Sequence, residues 1–423
     1  MVRAADFMPV ARPEERDEKD MGYKGVEEMR RLLAHKAVRV GIRYRYYDMK
    51  NAVQDLGIST PPGLEAWNSV VGWCEKAVDA VADRLKFNTF REDAFDLNGI
   101  YQMNNRDILI PSAALSACIS SCCFIYISAD EAGFPRMQVI DGGNATGVIN
   151  PITWMLDEGY AVLERDGTTG LPTREAYFTK ESTVIIENNT QRAIRNDTGF
   201  PLLVPVIHRP DATRPFGRSI ISRACMSITG SALRTIKRSE IGAEFYSFPQ
   251  KYVLGTDPNA DRLNKWRASM SAMLEITKDE DGEKPVVGQF SQQSMQPHLD
   301  QLKMFAGMFA GETGLTLDDM GFPGANPASN EAIKAAHENL RLKVEKAQEC
   351  FGVGLLNAGF VAACMRDKYP YLRQQMYLTR PVWRPAFGLD ASQISGIGDA
   401  VVKIAQSFPE YFTEEKLEEI TGI

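Results

Sequence analysis

The chain has 423 residues, is 44% apolar and 24% charged, and carries a formal net charge of −7. That length is too great for one compact core and implies two to four subdomains. The acidic balance speaks against a protein that grips nucleic acid tightly through phosphates, which is usually basic, and no apolar run long enough to read as a membrane span is present.

The N-terminus, MVRAADFMPVARPEERDEKD, has no apolar h-region and is expected to be a mobile arm over residues 1–20 rather than a secretory signal. Residues 23–47 carry a helical pattern. After the turn-rich LGISTPPG, residues 64–87 repeat it, with Trp67, Val70, Val71, Cys74, Val78, Val81 and Leu85 on one face. Residues 108–127 begin as helix and turn into strand. From there to about residue 207 the reading is β: MQVID, YAVLERD, EAYFTKESTVIIEN and PLLVPVIH, parted by DGG, DGTTG and NDTGFP.

Phe216 to Tyr246 reads as a long helix that is locally basic through Arg234, Lys237 and Arg238, with Gly230 and Gly242 as points of bending. Residues 249–290 read as a compact α/β insert between that helix and the next, PHLDQLKMFAGMFAGETG. A loop rich in Asp, Gly, Pro and Asn follows, with Asp318, Asp319, Met320, Phe322 and Asn326. It breaks into a long amphipathic helix capped by Ser329, with Leu340, Val344 and Phe351 on its apolar stripe. The connector YPYLRQQMYLTRPVWRPAF leads to two short terminal helices, SQISGIGDAVVKIAQS and TEEKLEEITG. The sum is an α+β chain with a β-rich part between helices.

No phosphate-binding, metalloprotease or serine-hydrolase motif occurs. The four histidines are scattered. The seven cysteines are odd in number, lack CxxC spacing and read as core residues in a reducing compartment. Asp318 and Asp319 read as a solvated turn rather than a metal pair. No cofactor, metal or catalytic residue is expected, and no membrane.

The order of these parts resembles the portal proteins of tailed bacteriophages, of the SPP1 type. The likeness is carried by WNSVVGWCEKAVDAVADRLKFNTF, PVIHRPDATRPFGRSIIS, AEFYSFPQKYVLG and ETGLTLDDMGFPGANPASNEAIKAAHENL, which together span most of residues 20–370. It implies a portal fold with a wing over 21–215, a first stem helix over 216–248, a clip over 249–292 and a second stem helix over 293–315. A tunnel loop over 316–329, a long wing helix and connector over 330–384 and a crown over 385–423 complete it. It also implies a ring of about twelve copies at one capsid vertex of a virion, assembled in the host cytoplasm. That ring would pass double-stranded DNA without reading its bases and dock the major capsid protein, a terminase and a head–tail connector.

In that arrangement the loop residues named above face the channel. Arg234, Lys237, Arg238 and Lys334 steer DNA weakly, and Leu340, Val344 and Phe351 pack neighbouring copies. Helix geometry agrees with the ring size: twelve helices spaced by about 10 Å leave a bore of roughly 28 Å, wide enough for duplex DNA, whereas six leave roughly 9 Å. A hydrolase built on the β-rich part and a non-viral oligomeric scaffold are the alternatives.

Overall fold

The computed structural model describes residues 22–52, 69–187, 190–247, 251–254, 286–289, 294–323, 330–388 and 391–407. The N-terminal arm, Trp67, most of the insert, Asn326, Ser329 and the second terminal helix lie outside them.

The centre is a three-stranded antiparallel sheet in the order β3-β2-β9, formed by Pro135–Ile140, Cys122–Ala129 and Leu203–Ile207. Cys122 to Ile125 and all five residues of β9 are buried without alternation, so both faces of this sheet are covered. The helices α4 (Arg106–Ser120) and α8 (Glu338–Asp367) pack on it. α8 is buried from Gly354 to Cys364 on every side, the pattern of a helix at the middle of a core. It is apolar and long enough to cross a membrane by composition, yet most of it is enclosed by its own chain.

A five-stranded antiparallel meander, β4 to β8, uses Ala145–Ile149, Leu156–Arg165, Pro172–Phe178, Ser182–Glu187 and Thr190–Arg195. EAYFTKESTVIIEN is therefore two strands, broken where the chain turns at Thr179 to Glu181. The helix α1 (Val26–Tyr47) docks on this sheet through Met29 and Leu33, packed with Tyr160, Val162 and Tyr177. Two buried carboxylates fix the docking. Glu158 accepts from the Lys24 and Gly25 N–H groups at the head of α1 and from the Tyr177 hydroxyl. Glu175 accepts from Arg30 and from the Tyr160 hydroxyl. A carboxylate at a helix N-terminus meets the orphan N–H groups and the positive end of the dipole.

The second expected helix is shorter than its pattern. α2 runs Trp73–Ala82, and Val70 lies before it, largely exposed. Its C-terminal end stops because Phe87–Arg91 leaves to form β1, paired antiparallel with β12 (Arg380–Trp383) from the connector. Periodicity cannot reveal that partner, which is nearly 300 residues away. α3 (Leu97–Met103), β1, β4, β8 and β12 are likewise absent from the sequence reading. The described cysteines are all free, and only Cys350 is not fully buried.

Candidate channel and assembly surfaces

The helix α5 spans Arg223–Ser247 and starts seven residues later than its pattern. The reason is Gly217, at φ +70°, where a Cβ would stand 2.1 Å from the His208 carbonyl. The linker is thus pinned against β9, and Ser222 caps α5 by accepting from the Cys225 N–H at 3.1 Å. α5 packs against α6 (Gln296–Thr313). Ser222 donates to Glu312, and thirteen residues on Thr235 donates to Gln301, eleven residues earlier, so the two helices are antiparallel. At their far end β10 (Lys251–Leu254) pairs with β11 (Val286–Gln289) in antiparallel register, Lys251 opposite Gln289 and Leu254 opposite Val286. The insert therefore leaves and returns through one two-stranded neck, as its position between helices predicts.

α6 buries Ala306, Phe309 and Ala310 but leaves Leu299, Met304 and Met308 about half exposed. Single exposed apolar residues are ordinary; Met304 and Met308, one turn apart, make an apolar strip that the described residues leave uncovered, whereas Leu299 lies round the helix beside Ile236 of α5.

The loop after α6 is built, not slack. Gly314 at φ +82° ends the helix with its N–H on the Ala310 carbonyl. Asp319 accepts from the Thr316 N–H at 2.8 Å and the Thr316 hydroxyl at 2.9 Å, while its own N–H returns to that hydroxyl. It also lies 3.1 Å from His337 Nε2. Burial pushes the Asp319 carboxyl up, but the Thr316 bonds and His337 outweigh it and hold the group below the usual carboxylate range. Met320 is buried and Phe322 packs against the core.

Two expectations are corrected here. Asp319 is a partnered turn residue rather than a solvated one, and Met320 faces the chain's interior rather than a channel. His337 is itself a finding. It breaks the expected long helix into α7 (Asn330–Ala336) and α8 (Glu338–Asp367), and its Nδ1 meets the Ile333 carbonyl at 2.8 Å.

Leu340, Val344 and Phe351, expected to pack neighbouring copies, are at most 1% exposed and belong to this chain's own core. Their stripe is covered by the chain's own sheet, because α8 crosses the centre rather than the rim. Arg234 is half-buried and donates to Ser231 at 2.9 Å, and its charge acts on Tyr46 of α1. Lys237 and Arg238 follow on the same helix, half-buried. Lys334 lies on α7, which packs on α8.

A larger cationic feature escaped the sequence reading. A cleft of about 1420 Å³ lies between α1, the linker after β9, and α8. Its signal was present as Lys36, Arg39 and Arg43 at helical spacing and as the arginines of RPDATRPFGR. Among the described residues no three metal-ligating side chains converge.

No family model matches the chain. Two curated relatives do. It is 26% identical to the portal protein of Mycobacterium phage D29 over 334 residues, 73% of this chain and 67% of that one. It is 25% identical to the portal protein of Mycobacterium phage L5 over 389 residues, 84% and 79% of the two chains. Among solved structures, a chain of the native gene transfer agent virion aligns with 12% identity and a TM-score of 0.44 over 91% of this chain and 99% of its own. A chain of the native particle's neck, with C12 symmetry, aligns with 13% identity and a TM-score of 0.47 over the same shares. Along most of its length this chain is thus similar to the portal proteins of two tailed phages, as the order of parts in its sequence led one to expect.

Proposed function

We propose that about twelve copies assemble head to tail into a ring at one capsid vertex of a virion, built in the host cytoplasm. The ring conducts double-stranded DNA inward during packaging and outward on infection. The observation that carries this reading is the likeness to the D29 and L5 portal proteins over most of the chain. The antiparallel α5–α6 pair with its two-stranded neck supports it, since a stem ending in a clip needs such a hairpin. In this reading α5 and α6 are the stem, the insert between β10 and β11 is the clip, and the sheets with α1 and α8 form the wing of an SPP1-type portal fold. Residues from about 385 form the crown.

The clip would dock the terminase and, later, the head–tail connector. The wing would meet the major capsid protein. The loop after α6 would approach DNA through Asp318, Phe322 and the segment holding Asn326. Arg234, Lys237, Arg238 and Lys334 remain candidates for weak, sequence-independent steering. The acidic chain suits passage, because each gripped phosphate would add friction.

Mass photometry and negative-stain imaging of purified protein test the ring. Particles near twelve times the 47.1 kDa chain, with a central hole, are expected. A monomer or dimer under every condition, including in the presence of the capsid protein, would overturn it.

A further inference from the structure

The cleft between α1, the linker and α8 is lined by nine lysines and arginines against two carboxylates, Asp211 and Glu312. Both carboxylates are engaged. Asp211 holds Arg218 at 2.7 Å, and Glu312 accepts from the Ser222 hydroxyl at 2.8 Å. The deeper cations reach neutral carbonyls instead. Arg43 donates to Ser120 O at 2.7 Å, Lys36 to Ala145 O at 3.0 Å and Lys343 to Glu312 O at 2.7 Å. Lys36 also lies over the Phe124 and Phe216 rings, at 4.6 and 4.9 Å. Burial and neighbouring positive charge disfavour the charged forms of Arg43 and Lys343. Among the nine, Arg218 is paired with Asp211 and Lys346 with Glu349 at 2.9 Å. Lys36, Arg43 and Lys343 are held against one another with no carboxylate ion pair among the described residues, which describes a surface open to counter-charge from outside.

We propose that this cleft is the receiving half of the contact between neighbouring copies, and that an acidic surface of a second copy fills it. The proposal rests on the ring reading and says which face of the subunit makes the contact. A two-fold contact through this face would press cleft on cleft and repel. A head-to-tail contact joins two different surfaces and escapes that cost. The chain supplies the complement. Its net charge is −7, and the cleft contributes +7 (nine cations, two carboxylates), so the remainder carries −14. Duplex DNA fits poorly, because one helical turn fills roughly 10,000 Å³ and cannot reach Arg43 or Lys343 at the cleft floor.

The test uses assembled rings made from a mixture of light and ¹⁵N-labelled full-length chains. A zero-length carbodiimide joins amines to carboxylates already in contact, and mass spectrometry reads whether each joined pair is light, heavy or mixed. Mixed pairs from Lys36 or Lys343 to an aspartate or glutamate are expected, whereas Lys346, 2.9 Å from Glu349, joins within its own chain in either case. In parallel, the exposed pair Arg39→Glu and Arg214→Glu is expected to raise the concentration needed for assembly at least tenfold, with unchanged thermal unfolding of the monomer. Arg39→Lys with Arg214→Lys is expected to assemble normally.

Pairs confined to one isotope would mean that the chain's own terminal segment fills the cleft, and would overturn the proposal. Rings of the glutamate variant that form at the wild-type concentration would do the same, as would loss of DNA retention with assembly intact. Wild-type protein that never forms rings would instead remove the reading on which the proposal stands.

Discussion

α8 and α6 carry similar apolar repeats and end in opposite circumstances. α8 passes through the middle of the chain, touching both the central sheet and β12. Glycines let its neighbours approach: a Cβ at Gly352 would stand 2.7 Å from Pro381, and one at Gly354 would stand 3.0 Å from the Val206 backbone. α6 packs mainly on α5, with Phe309 also against Trp73 of α2, and its far side shows Met304 and Met308. A repeat reports that a helix has something to bury. Only the number of surrounding elements says whether the cover comes from the same chain. The Leu340–Phe351 stripe therefore serves the fold of the chain itself, and contacts between copies through α6 and the charged cleft are what the proposal above puts to the test.

The largest expected effect strikes the buried side of this comparison. Phe351→Asp places an unpaired charge in the core and should cost about 4 kcal/mol or more. Chemical denaturation of the monomer reads it. A variant that folds normally and loses only its rings would return α8 to the interface and break the comparison.

His208 tests the same region by pH. It lies between the linker and Phe351, 3% exposed, with Nδ1 2.6 Å from the Arg218 carbonyl. Burial, joined by the charges of Arg209 and Lys343, pushes its pKa from 6.5 down to about 4. The unfolded chain thus takes up a proton near pH 6.5 and the folded chain only near pH 4. Stability is full above that window and falls by roughly 3 kcal/mol as pH drops across it. Unfolding midpoints of wild type and His208→Gln should diverge in slope between these pH values. Parallel slopes would mean that the ring titrates as if in water.

Asp319→Ala removes three bonds that hold the loop after α6 to itself and to His337. A loss of about 1–2 kcal/mol is expected, concentrated in faster amide exchange from Thr316 to Phe322. Unchanged exchange there would restore the slack, solvated loop.

The smallest effect on the chain's own stability is expected at the exposed side. Met304→Ser with Met308→Ser should change monomer unfolding by no more than about 0.5 kcal/mol while weakening ring assembly. Rings of unaltered stability would show that this side of α6 faces only water.

The sequence by itself determined the α+β class, the likeness to phage portal proteins, the placement of the insert between two helices and the buried cysteines. These follow from short-range signals: helical periodicity, turn residues and strand composition act within a dozen residues. Tertiary structure decided which apolar face is covered, because that depends on elements distant in the chain. It paired β1 with β12, ended α2 early, closed Met320 inward and joined Asp319 to His337. It also gathered cations from α1, the linker and α8, three segments each more than a hundred residues from the next, into one cleft. Charge and apolar surface are written residue by residue, but whether a residue meets its own chain, another copy or water is fixed only when the chain has folded around it.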